Sequence, residues 1–285
     1  MTRDTRFVGL LAALAVTGIA MPAMAQDAPP RTALKVCQDP NNLPFSHTDG
    51  GGIENRIAEV FGKSMGLPVT YYSFPNRLAF IRNTLRFKLP GQDYPCDIVM
   101  GVPDGFDQVS VTKPYYRSTY ALVFAQGKGL DNVKSGADFL ALDRSVLSKL
   151  RIGVYDRSPA AVWLSKHDLL DSGVPYAIMS PNPQQYPGEI IEKDLAQGKI
   201  DAAVVWGPIA GYFAQRVKQP ALTVVPLRSE PGVRFDYQMA MGVRYGEPKW
   251  KAEVEQLIES NQAAIDSILK EFGVPLVDAS YSAPR

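Results

Sequence analysis

The sequence predicts an α/β protein of two lobes, each a mostly parallel sheet flanked by helices, with two hinge strands joining them. Three observations predict it. Short β-like runs alternate with helical patterns as β-α-β-α-β, the pattern restarts near residue 150, and a long apolar strand-like run follows each of the two units.

In the first unit, Leu34-Lys35-Val36 reads as a strand and Asp39-Pro40-Asn41-Asn42 as a turn-rich loop. Ile53 to Met65 is an amphipathic helix, with Ile53, Ile57, Val60, Phe61 and Met65 on one face and Gly66 ending it. Leu67 to Phe74 is strand-like, Leu78 to Phe87 helical, and Asp97 to Gly101 a buried strand closed by glycine. In the second unit the strands are Leu150–Tyr155, Tyr176–Met179 and Ala202–Trp206. Helices over Pro159–Leu170 and Ile190–Gln197 separate them, and another starts at Pro208. Tyr120–Ala125 and Tyr237–Val243 are the connecting strands, and one last helix runs from about Lys249 to Phe272.

The expected division is therefore 26–123 with 238–285 for lobe one and 124–237 for lobe two. About 260 residues exceed what one hydrophobic core usually serves, which agrees with two lobes. Ligands of such folds bind at the carboxyl ends of the strands, here the cleft between the lobes.

Residues 1–25 read as a signal peptide. Arg3 and Arg6 precede an apolar run from Phe7, and Ala23-Met24-Ala25 offers the small-x-small cleavage pattern. The run is too short for the roughly 20 residues that span a bilayer, and Gln26 after the cut is not the cysteine of a lipid anchor. Export to the periplasm is expected. Cleavage would remove Arg3, Asp4 and Arg6 and leave a nearly neutral chain, so no basic field collects nucleic acid. Cys37 and Cys96 are the only cysteines; in an oxidising compartment they are expected to pair, with two separate buried thiols as the alternative.

Asp97-Ile98-Val99-Met100-Gly101 leading to Ser110-Val111-Thr112-Lys113-Pro114-Tyr115-Tyr116 resembles a passage of the periplasmic solute-binding proteins (type II) related to amino-acid transport, and the later unit is similar to their second lobe. The cleft chemistry departs from that pattern. Those binders hold the ligand carboxylate with an arginine in the loop after the glycine strand. Here Val102–Gln108 contains neither Arg nor Lys, and Trp206 stands where they place an aspartate for the ligand ammonium. A carboxylate buried without its cation costs several kcal/mol, so a free amino acid is a poor ligand.

A narrower resemblance rests on Cys37-Gln38-Asp39-Pro40-Asn41-Asn42-Leu43-Pro44-Phe45-Ser46, Glu54–Ala58, Pro95–Gly101 and Pro114–Tyr120. Together these are similar to the J proteins of methanol-oxidation operons, the XoxJ and MxaJ type. The Gln-Asp-Pro-Asn-Asn opening favours XoxJ, the partner of the lanthanide-dependent enzyme. The resemblance implies a periplasmic helper of a pyrroloquinoline-quinone methanol dehydrogenase that binds the enzyme or a form of it and has no catalytic activity of its own.

Catalytic and metal chemistry find no support. His47 lies in a polar turn and His167 on a helix, no Gly-x-Ser-x-Gly elbow is present, and Ser158 stands where it would cap a helix. Asp104, Asp107 and Asp143 form no dense ligand run, so neither a lanthanide nor a quinone cofactor is expected. Phe45, Phe74, Phe106, Tyr115, Tyr116 and Trp206 fall at strand ends or loops facing the expected cleft, with Arg77 and Arg157 as rim charges. Asn42, Asp104 and Ser158 complete the candidate set. The expected occupant is a flexible segment of the apo dehydrogenase, bound by a monomer. The competing readings are a transport receptor for a small solute other than a free amino acid, and a dehydratase-like enzyme for which no acid–base pair can be named.

Overall fold

A computed structural model describes residues 1, 30–76, 79–178, 182 and 184–283. Residues Thr32–Arg285 form one compact unit, and Met1–Arg31 a second of which only Met1, Pro30 and Arg31 are described. The expected cleavage site lies outside the described residues.

The chain opens with β1 (Leu34–Gln38), the short strands β2 (Asn41–Asn42) and β3 (Ser46–His47), and α1 (Ile53–Met65). Ile53, Ile57, Ala58 and Phe61 recur on one face of α1 and are buried. Gly66 ends the helix at φ 65°, where the left-handed backbone lets its N–H return to the Gly62 and Lys63 carbonyls. At the other end Asn55 Oδ1 accepts the N–H groups of Gly52 (3.2 Å) and His47 (3.0 Å), which ties the β2–β3 hairpin to the helix start. β4 (Val69–Ser73), α2 (Phe80–Asn83), β5 (Ile98–Pro103) and β6 (Ser110–Val111) follow.

β7 (Tyr116–Ala125) leads to α3 (Gly136–Leu140), α4 (Arg144–Leu147), β8 (Ile152–Tyr155), α5 (Pro159–Lys166) and β9 (Gly173–Tyr176). A π-helix, Ile190–Leu195, precedes β10 (Ala202–Trp206), α6 (Gly207–Arg216) and β11 (Leu222–Pro226). β12 (Asp236–Val243), α7 (Pro248–Ser260) and α8 (Gln262–Glu271) complete the order.

One hydrogen-bonded path runs β4-β1-β5-β12-β7-β10-β8-β9, with β11 on β7 and β6 on β12. The fold is the two-lobed α/β architecture expected. β1, β4 and β5 are parallel in lobe one, as are β8, β9 and β10 in lobe two. β7 serves both: Tyr116–Thr119 pair with Met239–Asp236 of β12, whereas Tyr120–Ala125 lie between β10 and β11. Two buried hydroxyls fix this crossing, Ser118 donating to the Pro275 carbonyl (2.8 Å) and Thr119 to that of Leu227 (2.6 Å). The C-terminal segment lies alongside. Val277 N–H donates to the Arg117 carbonyl, and Ser229 N–H to that of Tyr281.

The lobe-one core packs Ile57 and Phe61 of α1 against Trp250, Val254, Ile265 and Leu269 of the last helices. Lobe two covers both faces of its sheet, with Phe124, Phe139, Trp163 and Phe235 on one side and Val123, Ile190, Ile209 and Phe213 on the other. Cys37 and Cys96 form a disulfide, Cα atoms 5.2 Å apart, joining β1 to the segment that enters β5. Beside it the buried Arg244 guanidinium donates to Asp97 (2.6 Å), Glu247 (2.7 Å) and the Cys96 carbonyl (2.6 Å), over the Tyr94 ring.

Local structure corrects four expectations. The last helix is two, because at Asn261 the side-chain amide donates to the Leu257 carbonyl (2.8 Å) and competes with the backbone ladder. The helix expected over 78–87 contracts to α2, opened by Ala79 at φ 67° and closed where Thr84 donates to the Phe80 carbonyl. The helix expected over 190–197 is a π-helix. The strand expected from Tyr176 ends there instead, since the register with β8 begins at Gly173. β11 is a strand absent from the sequence expectations.

Candidate functional site

Two adjoining recesses open where the strand ends of both lobes converge. The larger, about 890 Å3, is lined from lobe one by Asp39–Asn42 and Pro75–Asn76, from the shared strand β7 by Tyr120, and from lobe two by Tyr155, Tyr176, Tyr186 and the π-helix. The smaller, about 470 Å3, is lined mostly from lobe one and includes Phe45, Glu54, Phe80, Phe106 and Met239. Asp39, Asn42, Asn76, Pro103 and Trp206 border both.

Trp206 is the last residue of β10 and packs against core residues of both lobes. Its ring meets Tyr120 (5.6 Å) and Tyr237 (5.8 Å) edge-on, a favoured aromatic geometry. The next residue has to be glycine, because a Cβ at Gly207 would lie 2.2 Å from the Thr119 carbonyl oxygen. That approach seats α6 against β7 and places Trp206 at the junction of the two recesses.

The lobe-two tyrosines are held by their hydroxyls. Tyr155 donates to the Pro187 carbonyl (2.5 Å), Tyr176 to Asp194 (2.7 Å) and Tyr186 to Glu192 (2.7 Å). Burial raises the pKa of all three, so they present neutral rings to the cleft. Burial works against the Asp194 charge, but the hydrogen bonds from Tyr176 and Lys199 outweigh it and keep the carboxyl below the usual aspartate range. The π-helix supplies Ile190, Lys193 and Asp194 to this wall. π-Helical turns occur frequently at functional sites.

The smaller recess holds an isolated carboxyl group. Glu54, in the first turn of α1, has no hydrogen-bond or ion-pair partner among the described residues. Burial, reinforced by the nearby Asp39 charge, pushes its pKa up to about 8. Its Oε1 lies over Gly101, where a Cβ would come within 2.5 Å and where φ is 68°. Asp39 is otherwise engaged, accepting the N–H groups of Asn41 (2.8 Å) and Asn76.

The structure brings Asn42, Phe45, Phe106, Ser158 and Trp206 to the recesses. Ser158 also caps α5, accepting the Ala161 N–H. Tyr115 and Tyr116 are placed differently, 3 % and 8 % exposed in the lobe-one core. Phe74 lines neither recess; its N–H extends the β1 ladder to the Gln38 carbonyl. Asp104 is exposed in the turn after β5, and Arg157 is exposed at φ 55°. Arg77 lies outside the described residues. Tyr120, Tyr155, Tyr176, Tyr186 and Glu54 are cleft residues that sequence reasoning passes over. The available signal was position, since Tyr155 and Tyr176 end parallel strands, where α/β folds bind ligands. Among the described residues no group of three or more His, Cys, Asp or Glu is placed to hold a metal ion. Nor is any helix among them long and apolar enough to cross a membrane.

The crystal structure of the periplasmic binding protein XoxJ from Methylobacterium extorquens AM1 superposes with a TM-score of 0.69 at 34 % identity, covering 86 % of this chain and 100 % of that one. The chain belongs to the XoxJ family of periplasmic binding proteins.

Protein MoxJ of Paracoccus denitrificans is 27 % identical to this XoxJ-family chain over 282 residues, 94 % of this chain and 96 % of MoxJ. MxaJ from Methlophaga aminisulfidivorans MPT shares the fold at a TM-score of 0.71 and 22 % identity, over 86 % of this chain and all of MxaJ. The type II fold also extends to an ancestral arginine-binding protein, with a TM-score of 0.55 and 19 % identity over 85 % of this chain and 98 % of that one. No protein-family profile matches the chain.

Proposed function

We propose that this XoxJ-family protein acts in the periplasm, after cleavage near Ala25, by assisting maturation of a pyrroloquinoline-quinone methanol dehydrogenase of the lanthanide type. It holds the apo-enzyme, or a flexible segment of it, in the aromatic cleft and catalyses no reaction itself. The observation that carries this reading is the wall of neutral rings, Tyr120, Tyr155, Tyr176, Tyr186 and Trp206, around a space of about 890 Å3. Such a surface suits an apolar or aromatic peptide segment, because Tyr and Trp offer large contact areas at little entropic cost. The loop Val102–Gln108 contributes no cation to clamp an amino-acid carboxylate. The lobes, taken as 26–123 with 238–285 and 124–237, turn about the paired stretch Tyr116–Thr119 and Asp236–Met239.

Titration calorimetry of residues 26–285 against apo and holo methanol dehydrogenase tests the role. Binding that favours the apo form supports it. Absence of binding to either form moves the function to capture of a small solute other than a free amino acid.

A further inference from the structure

The smaller recess has a chemical character that the aromatic wall does not share. Its lining joins the rings of Phe45, Phe80, Phe106 and Trp206 and the thioether of Met239 to neutral polar groups such as Asn42 and Gln108 and to two carboxyls, Asp39 and Glu54, of which Glu54 has no hydrogen-bond or ion-pair partner among the described residues. No Lys or Arg lines it among the described residues. The titratable groups facing Glu54 are Asp39 from the loop after β1 and the Tyr115 and Tyr116 phenols from the segment entering β7. None of these can be a cation, and Asp39 already accepts two backbone N–H groups. A carboxylate set among rings, with its own side of the ion pair missing, is half of a recognition site.

We infer that this recess is a cation subsite that takes one alkylammonium or guanidinium group, seated on the Glu54 carboxylate and flanked by the rings of Phe45, Phe106 and Trp206. The group is carried either by a free organic amine or by a Lys or Arg side chain of the protein segment held in the larger recess. Only the second source rests on the partner role proposed above. The volume, about 470 Å3, suits one such side chain or a small amine and excludes a folded element. Gly101 makes the geometry possible, since a Cβ there would meet Glu54 Oε1 at 2.5 Å and drive the carboxylate from its place. Because the empty site holds its proton up to about pH 8, an arriving cation displaces that proton. Below that value affinity then falls about tenfold for each unit by which the pH is lowered, while the amine itself stays charged.

The test is calorimetric titration of residues 26–285 with n-butylamine, with n-butanol as its neutral counterpart, in buffers of different ionisation enthalpy at pH 6.5 and 7.5. Binding of the ammonium but not the alcohol, release of close to one proton at pH 6.5, and a loss of at least tenfold in Glu54→Gln are the expected results. Phe106→Leu, which keeps the carboxylate and removes a ring, serves if Glu54→Gln fails to fold, and is expected to weaken amine binding severalfold. Equal binding of butanol, or unchanged amine affinity in the variants, overturns the subsite. If free amines do not bind but Glu54→Gln weakens association with the dehydrogenase at least tenfold, the cation is a partner side chain. Failure of both arms overturns the inference. A dehydrogenase that does not bind the native protein removes the partner role alone, because the amine titration still decides the subsite.

Discussion

Arg117 on β7 and Asp236 on β12 form an ion pair of 2.6 Å where the two strands that link the lobes lie side by side. The aspartate also accepts hydrogen bonds from Ser229 (2.6 Å) and Ser282 (2.8 Å), so one buried carboxylate gathers four segments of chain. Burial opposes its charge, but the Ser229 and Ser282 hydroxyls and the Arg117 cation prevail and hold its pKa below the usual range.

Asp236→Asn is therefore expected to destabilise the protein by about 2–3 kcal/mol, the range for charged hydrogen bonds. Equilibrium urea unfolding measures it. The sign with pH follows from the depressed pKa: the contribution is present above the unfolded aspartate value, about 3.9, and disappears as pH falls through the folded one. The difference between native protein and variant should accordingly shrink below pH 4, and a constant difference down to pH 2 counts against the assignment.

Reduction of the Cys37–Cys96 bridge, or its replacement by two serines, releases a loop with a sequence separation of 59 residues. The chain-entropy relation gives a loss of about 4 kcal/mol. Thermal unfolding with and without reductant reads this directly, and an unchanged midpoint refutes a stabilising role for the bridge.

Arg244→Ala leaves Asp97 and Glu247 without the guanidinium that both accept from and removes the cover over Tyr94. The expected cost is about 3–5 kcal/mol, as for other broken buried pairs. Arg244→Lys should recover only part of it, because one ammonium cannot reproduce the forked contacts to Asp97, Glu247 and the Cys96 carbonyl. Full recovery by lysine in chemical denaturation is the contrary outcome.

Glu54 makes the native state weaker as pH rises. Its folded pKa of about 8 lies above the ordinary glutamate value of 4.5, so between these values the unfolded chain has released a proton that the folded chain keeps. Stability falls across that window and levels above pH 8, by a few kcal/mol at most, on the order of what burying a lone carboxylate costs. Glu54→Gln should flatten the profile between pH 5 and 8 and be the more stable protein at pH 8. Thermal midpoints across the range decide it.

Trp206→Ala removes the ring shared by both recesses while leaving Gly207 and α6 in place. Association with apo methanol dehydrogenase should weaken by at least tenfold, about 1.4 kcal/mol, as for an aromatic anchor in an interface. Unaltered affinity and unaltered maturation in that variant dispose of the cleft as the partner site.

Alternating strand and helix patterns carried the architecture, because apolar spacing along α1 and the runs of β5 and β10 report directly on burial. They could not report a break at Asn261, which depends on a side chain competing with its own helix, or the π-helical winding of Ile190–Leu195. The site was legible where a residue ends a strand, as Trp206 does, and obscure where facing depends on packing. Tyr115 and Tyr116 share a strand entrance with the hinge, and both turn inward to the core. Glu54 has no distinguishing neighbours in sequence; only the fold of Gly101 beneath it shows that a half-buried carboxyl on the helix flank lines the recess.

The stretch after α8 passes β7 at Ser118–Leu276 and reaches Arg228 and Ser229 through Ser280 and Tyr281. The lobes are thus strapped three times at one line, twice by strands and once by the closing residues of the chain. Three neighbouring straps along that line tie both walls of the cleft to one seam. They also make the final residues the fastening that completes the joint, and a chain cut short before Pro275 would retain both cores yet lose the part that sets their angle.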